Sequence, residues 1–481
     1  MDRPFAEILK RLPLAEGLLW LWRWVTRGDR LESLWQAHRG RCYEKSISFP
    51  LLVQLIADAV MRFDGSGRRS FDHAVENETL DASTQAAYRK LGRLPIPVSE
   101  ALLMQVTADL REVFPSVVKR LLPESLASMN LIFLDGKTVK HVAKRLLPLR
   151  NVAGGLVGGK ALVAQEWSTG LAIAIKVDPD GDRNEVGMVE EILPLVRAAL
   201  PASAGPRVWT ADRAFGTPLQ MSRFTAEGDH FVLRYSATTS FTVEASDKSR
   251  KRRFGRDKKG REYVEDWGWL GGEDHPQRCL VRRIRLRRSS NPKDDIVVVT
   301  DLLDADRYPA TDLLEIYAER WSIEHMFQDV TEVFGLKRLI GGTPQACLFQ
   351  LSFCLVLYNM IEVVRGYVAQ GQERSVDELS DEKLFEDVEE QLIAWNVVLD
   401  MPTTLEHFRE APTASGLRAL LARLLGGSWS ERWQKTPTQS QRTPQRKGRQ
   451  RTHHSTYRIL QSLGHGRLKA SGSRRKQAAV T

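Results

Sequence analysis

The chain changes its hydrophobic period at Leu131. Before that point, segments such as WLWRWVTRGDRLESLWQAHRG and FPLLVQLIADAVMRF carry apolar residues three and four apart, broken by Gly and Pro turns. That spacing lines one face of a helix. After it come short apolar runs, LIFLD, ALVAQEW, LAIAIKV and RVWTAD, with a helical stretch near Glu185 to Leu200. Short runs alternating with a helical segment predict an α/β sheet. From about His230 to Thr300 the texture becomes alternating, as in FVLRYS and LVRRIRLRR, around the loop DKSRKRRFGRDKKGRE, which predicts a β-rich insertion. Helical periodicity returns after Tyr308-Pro309 in YAERWSIEHMFQDVTEVF and in the apolar stretch beyond Cys347.

These shifts divide the chain into helical residues 1–125, a first α/β part at 126–229, the β-rich insertion at 230–305, a second core part at 306–370 and helices at 371–428. Residues 429–481 form a basic tail without an apolar period, expected to be disordered. The formal charge is +10, and the segment from Ser430 holds thirteen Lys and Arg against the single Glu431, which leaves about −2 for everything before it. An anionic partner is implied, with the excess charge mostly in the tail. Four cysteines (Cys42, Cys279, Cys347, Cys354) in no paired spacing argue against a zinc site or a disulfide framework and suit a reducing cytoplasm. The run Cys347 to Val364 is interrupted by Gln350, Asn359 and Glu362, so it reads as a buried helix and no membrane partner is expected.

Asp135 ends the run Leu131-Ile132-Phe133-Leu134 and Asp212 ends Val208-Trp209-Thr210-Ala211. Each carboxylate is thus placed at the C-terminal edge of a buried strand, where open α/β sheets bind ligands. Tyr317, Arg320 and Glu324 follow at i, i+3 and i+7, within about 60° of one another on one continuous helix. Taken singly, a turn-starting Asp or a plain Arg-Glu ion pair explains each feature. Together they predict a polar stripe facing two strand ends.

LDGKT around Asp135, the Asp212-Arg213 pair in ADRAFG, and Tyr317-x-x-Arg320-x-x-x-Glu324 resemble bacterial insertion-sequence transposases of the DDE type, in the subgroup with a Y-R-E-K signature and a β-strand insertion before the Glu. Glu324 lies 112 positions after Asp212, room enough for that insertion. The resemblance covers roughly residues 130–361. It implies a ribonuclease H-like core, Asp135, Asp212 and Glu324 as catalytic ligands of two Mg²⁺ (or Mn²⁺) ions, and Tyr317, Arg320 and Arg213 near DNA phosphates. It also implies double-stranded DNA partners (terminal inverted repeats, bound by the N-terminal helices, and target DNA), a homodimer in a synaptic complex, and a bacterial cytoplasmic, nucleoid-associated setting. The implied reaction is hydrolysis at the element's ends, then 3′-OH strand transfer, with hairpinned ends as an intermediate. A catalytically inactive or domesticated DNA-binding descendant and a metal-dependent endonuclease without strand transfer are the other readings. The signature's Lys, six intervening residues after the Glu, is here Thr331. Lys337 and Arg338, just beyond, are then expected to supply the missing phosphate contact.

Nine basic residues stand between Lys248 and Arg261, and alternation puts Arg283, Arg285 and Arg287 on one strand face. With the signature above, they predict a DNA-backbone surface, a solvated charged loop being the alternative. Trp267 and Trp269 are assigned to packing, Asp182 to Glu185 to helix capping, and His325 to a structural position off the stripe. The glycine pairs lack phosphate-loop spacing, so no nucleotide site is expected.

Overall fold

Side-chain caps set where the first helices begin. The computed structural model describes residues 7, 9–42, 44–116, 120–244, 250–289, 291, 294–399, 401–410, 412–435 and 453–466. Among the described residues the sheet is preceded by helices α1 (Pro13–Val25), α2 (Arg30–His38), α3 (Phe49–Met61), α4 (Gly67–Glu76), α5 (Thr84–Leu91) and α6 (Ile96–Val113). Ser48, Ser66 and Ser83 each accept a backbone N–H of the first turn of α3, α4 and α5, satisfying donors that a helix start leaves orphaned.

The apolar runs form strands: β1 (Asn130–Thr138), β2 (Gly155–Val157), β3 (Lys160–Glu166), β4 (Ala172–Asp178) and, after helix α7 (Val189–Ala199), β5 (Arg207–Ala211). Helix α8 (Pro218–Phe224) leads to β6 (His230–Arg234), β7 (Phe241–Val243), β8 (Arg253–Arg256), β9 (Glu262–Leu270), β10 (Cys279–Leu286) and β11 (Ile296–Thr300). One mixed sheet runs β4-β3-β1-β5-β6-β11-β10-β9-β7, with β8 paired to β9. Pairing is parallel at β1–β5 and β5–β6. The β-rich segment therefore extends the core sheet from its β6 edge rather than forming a sheet of its own. Buried Arg207 anchors the parallel strands: its Nη1 donates to Asp229 Oδ1 at 2.7 Å, and Asp229 also accepts from Trp209 Nε1 at 3.2 Å.

Two sequence expectations change here. The basic stretch near residue 250 is not a loop throughout: Arg253–Arg256 pairs antiparallel with Glu262–Glu265 as a hairpin. Asp257 closes the turn by accepting from the N–H groups of Lys259 and Arg261, and Gly260 adopts φ +74, which glycine tolerates best. Lys248 lies outside the described residues. Within the tail, β12 (His453–Ser455) pairs parallel with β2 and continues into a final helix, Thr456–Gly466. Ser455 Oγ and Arg458 Nε each donate to Asp180 at 2.8 Å, and Ile459 and Leu460 pack against the core, so this part of the tail does carry an apolar helical face. Residues 436–452 and 467–481 of the tail lie outside the described residues.

Past β11 come α9 (Ala310–Ala318), α10 (Trp321–Glu332), α11 (Pro344–Gly371), α12 (Asp381–Val398), α13 (Met401–His407) and α14 (Ala414–Leu425), which leaves the helix after β12 as α15. Helix α11 is long and apolar enough to cross a bilayer, yet every residue from Ala346 to Ala369 is buried inside the protein. Most of its polar residues have partners there, although Ser352 Oγ and Glu362 Oε1 make no hydrogen bond among the described residues. Gln350 Oε1 accepts from Ile340 N, Asn359 bridges Thr107 of α6 and Ala172 of β4, and Glu362 pairs with Arg365. Buried polar groups so matched cost little and fix the helix's rotation against the sheet.

Candidate active site

Parallel register brings the first two carboxylates side by side. Leu134 pairs with Ala211 as the last matched positions of β1 and β5, so Asp135 and Asp212 follow just past the paired stretch; Asp212 leaves the end of β5, whereas Asp135, expected at a strand end, lies inside β1, which runs on to Thr138 against β3. Each is braced by the next backbone N–H: Gly136 N donates to Asp135 Oδ1 at 2.8 Å and Arg213 N to Asp212 Oδ1 at 2.6 Å. Burial pushes Asp135 up to about 6, opposed by its Gly136 hydrogen bond and Arg320 and assisted by the negative charges of Glu324 and Glu185.

Glu324 reaches this place from the first turn of α10, which packs against β1. The expected single helix through Tyr317, Arg320 and Glu324 is broken: α9 stops at Ala318 and α10 starts at Trp321. The link is a tight turn in which Arg320 N bonds Tyr317 O and Ile323 N bonds Arg320 O, i→i+3 bonds that wind the chain more tightly than an α-helix. The three residues nevertheless stay together. Arg320 Nη2 donates to Glu324 Oε1 at 2.7 Å. Arg320 and Tyr317 are each only 5% exposed, and neither the Arg320 Nε nor the Tyr317 hydroxyl has a hydrogen-bond partner among the described residues. Burial pushes the Tyr317 hydroxyl upward, Arg320 pulls it back, and Asp212 adds to the rise. Tyr317 thus feels Asp212, and Arg320 feels Glu324 and Asp135.

Two further neighbours complete the setting: Glu185, assigned from the sequence to capping, and Lys137, which the sequence did not single out. Glu185 leans over Gly136, where an added Cβ would meet its Oε2 at 2.7 Å, and it pairs with Lys160. Capping at that turn falls to Asn184, which accepts from Val186 N. Lys137 sends Nζ to Thr331 Oγ1 at 2.7 Å and to Phe327 O at 3.1 Å, and burial pushes its ammonium downward. Its spacing of two from Asp135 on a strand is the one signal that could have found it.

The remaining predicted residues lie in different settings. Arg213 is exposed beside Asp212. Arg283, Arg285 and Arg287 share a face of β10 and its extension, but Arg283 is tied to Asp266 at 2.8 Å and lies over the Phe241 ring, while Arg287 pairs with Glu262 at 3.6 Å. Arg285 is exposed, and with Phe254, Arg256, Tyr263 and Arg287 it lines an open depression of about 600 Å³. Lys337 pairs with Glu332, and Arg338 with Asp64 of the N-terminal helical region. Trp267 and Trp269 donate to Leu303 O and Glu244.

Among the described residues no three Asp, Glu, His or Cys side chains converge closely enough to hold a metal. Glu324 is turned onto Arg320. The donors themselves suit a divalent ion: they are hard carboxylate oxygens, and one of them is a buried acid with a raised pKa, whose ionised form a cation would favour.

Residues 130–360, just under half of the chain, match the family model described as a transposase DDE domain. The match begins at the first residue of β1, ends within α11 and includes all three carboxylates; it supports a DDE transposase. No curated protein matches the chain. Among solved structures it is similar to a piggyBac transposase synaptic complex with hairpin DNA, at 11% identity over 87% of this chain and 85% of that one, with a TM-score of 0.36. A likeness that loose transfers no residue roles.

Proposed function

We propose that the protein is a DNA transposase that cuts the ends of an insertion sequence and joins them to target DNA, with Asp135, Asp212 and Glu324 as its working carboxylates. The observation that supports this most is the β1–β5 register, which sets Asp135 and Asp212 side by side just past the paired stretch of these strands, inside the stretch matching a transposase DDE domain. The three carboxylates would hold two Mg²⁺ or Mn²⁺ ions. Bound there, such ions supply activation of the attacking oxygen and charge neutralisation at the leaving one.

The chain's own residues orient the site. Arg320 restrains Glu324 and lowers the charging cost of Asp135. With Tyr317 and exposed Arg213 it presents donors to a phosphodiester. Arg285, Arg287 and Arg256 provide a basic flank for the duplex backbone. Water attacks at each end to free a 3′-OH, which attacks the opposite strand to close a hairpin and release the flanking DNA; a second water opens the hairpin and restores the 3′-OH that attacks target DNA. Two copies of the chain bring two inverted repeats together, the N-terminal helices holding those repeats.

The test is product analysis. Protein, Mg²⁺ and duplexes taken from sequence flanking the coding region are incubated with a supercoiled plasmid. The reading expects end cleavage followed by joined products. Cleavage without any joining favours an endonuclease, and neither activity favours an inactive DNA-binding descendant.

A further inference from the structure

We propose that Lys137 is a substrate-phosphate contact of this site, supplied by strand β1 where helix α10 carries Thr331. The inference rests on the transposase reading above and names a residue that reading does not use.

Lys137 lies two positions after Asp135 in β1, so both side chains leave the same face of the sheet. Its half-buried ammonium bridges to α10 one to two turns beyond Glu324, with Nζ 2.7 Å from Thr331 Oγ1 and 3.1 Å from Phe327 O. The Thr331 hydroxyl spends its own proton on Phe327 O at 2.7 Å, leaving its lone pairs to Lys137. The ammonium thus has neutral acceptors only, and Lys137 makes no ion pair among the described residues. The exposed cations nearby differ: Lys337 is paired with Glu332 and Arg338 with Asp64. Withdrawing a charge from water against neutral oxygens alone is costly. A phosphate oxygen arriving at Asp135 would take the third N–H and supply the counter-charge. If Lys137 served only to strap β1 to α10, a neutral donor such as glutamine would serve as well.

Single-turnover cleavage and binding of duplexes from the flanking sequence decide this, using wild type, Lys137→Gln, Lys137→Arg, the double variant Lys137→Gln/Thr331→Lys, and Asp212→Ala. Lys137→Gln, folded by near-ultraviolet circular dichroism, is expected to lose about 100-fold in cleavage. Lys137→Arg should stay within about tenfold of wild type, and the double variant should recover at least about tenfold, because the cation returns from the other side of the same 2.7 Å contact. A methylphosphonate at one terminal phosphate should make wild type and Lys137→Gln equal. Wild-type cleavage by Lys137→Gln overturns the proposal. So does a folded double variant no better than Lys137→Gln, and if Lys137→Gln alone unfolds, the double variant decides by itself. Undiminished cleavage by Asp212→Ala would instead overturn the transposase reading, a result separable from any behaviour of Lys137 variants.

Discussion

Arg320 Nη2 and Glu324 Oε1 are 2.7 Å apart, and the guanidinium in that pair is almost wholly buried. The same charge acts on Asp135 and Tyr317, so Arg320 couples Glu324, Asp135 and Tyr317. Replacing it by glutamine removes a charge that favours ionised Asp135, which raises the Asp135 pKa further. Mn²⁺ binding, followed by calorimetry against pH, should then need a higher pH for half-saturation. Cleavage should fall by about 10- to 100-fold, and Arg320→Lys should not recover it fully because an ammonium lacks the planar fork.

Asp135 carries a stability signature in metal-free protein. Its folded pKa is about 6 against an ordinary 3.8, so the folded state binds a proton that the unfolded chain has already released. The contribution is complete below about pH 4 and is lost as pH rises through about 6. Asp135→Asn, which keeps an oxygen for Gly136 N, should match wild type near pH 4 and exceed it by on the order of 1–3 kcal/mol at pH 7. Urea denaturation in chelator at the two pH values measures this. An equal difference at both would show that Asp135 is not held as a buried acid.

Gly136 has no space for a methyl group while Glu185 leans over it. Gly136→Ala should lower stability by about 1–3 kcal/mol, the usual range for overpacking. Adding Glu185→Ala should return most of that loss, because the obstructing atoms are the end of a side chain. Thermal melts of the single and double variants check it, and a double variant no more stable than Gly136→Ala would mean the backbone itself rejects the Cβ.

Asp229 holds buried Arg207 and the Trp209 indole where β5 and β6 start. Asp229→Ala strands a charge at 2% exposure and should cost about 3–5 kcal/mol. The loss should appear in denaturant midpoint, and cleavage should fall only in proportion to the unfolded fraction.

What could be read from the sequence followed from short-range physics. Apolar runs ending in Asp135 and Asp212 marked two strands and the end of β5, although β1 runs on past Asp135 to Thr138, and the change of period at Leu131 separated a helical region from a mixed sheet. The polar interruptions at Gln350, Asn359 and Glu362 marked α11 as a helix with protein neighbours. What stayed hidden depends on tertiary contact. The break at Glu319 and Arg320 leaves every φ/ψ helical, so no residue preference announces it. The β8–β9 hairpin is masked because arginine occupies positions where an apolar period would show. Lys137 and Thr331 are 194 positions apart, and only the packing of α10 on β1 joins them. Pairing of β12 with β2 rests on Asp180 partners far along the chain.

The transposase reading stands or falls with the neighbouring carboxylates of β1 and the β5 end. Single-turnover cleavage of the flanking-sequence duplex in Mg²⁺, comparing wild type with folded Asp135→Ala, Asp212→Ala and Glu324→Ala, tests it most directly. Each variant should cleave at least about 1,000-fold more slowly while still binding the duplex. Wild-type cleavage by Asp212→Ala would contradict the assignment.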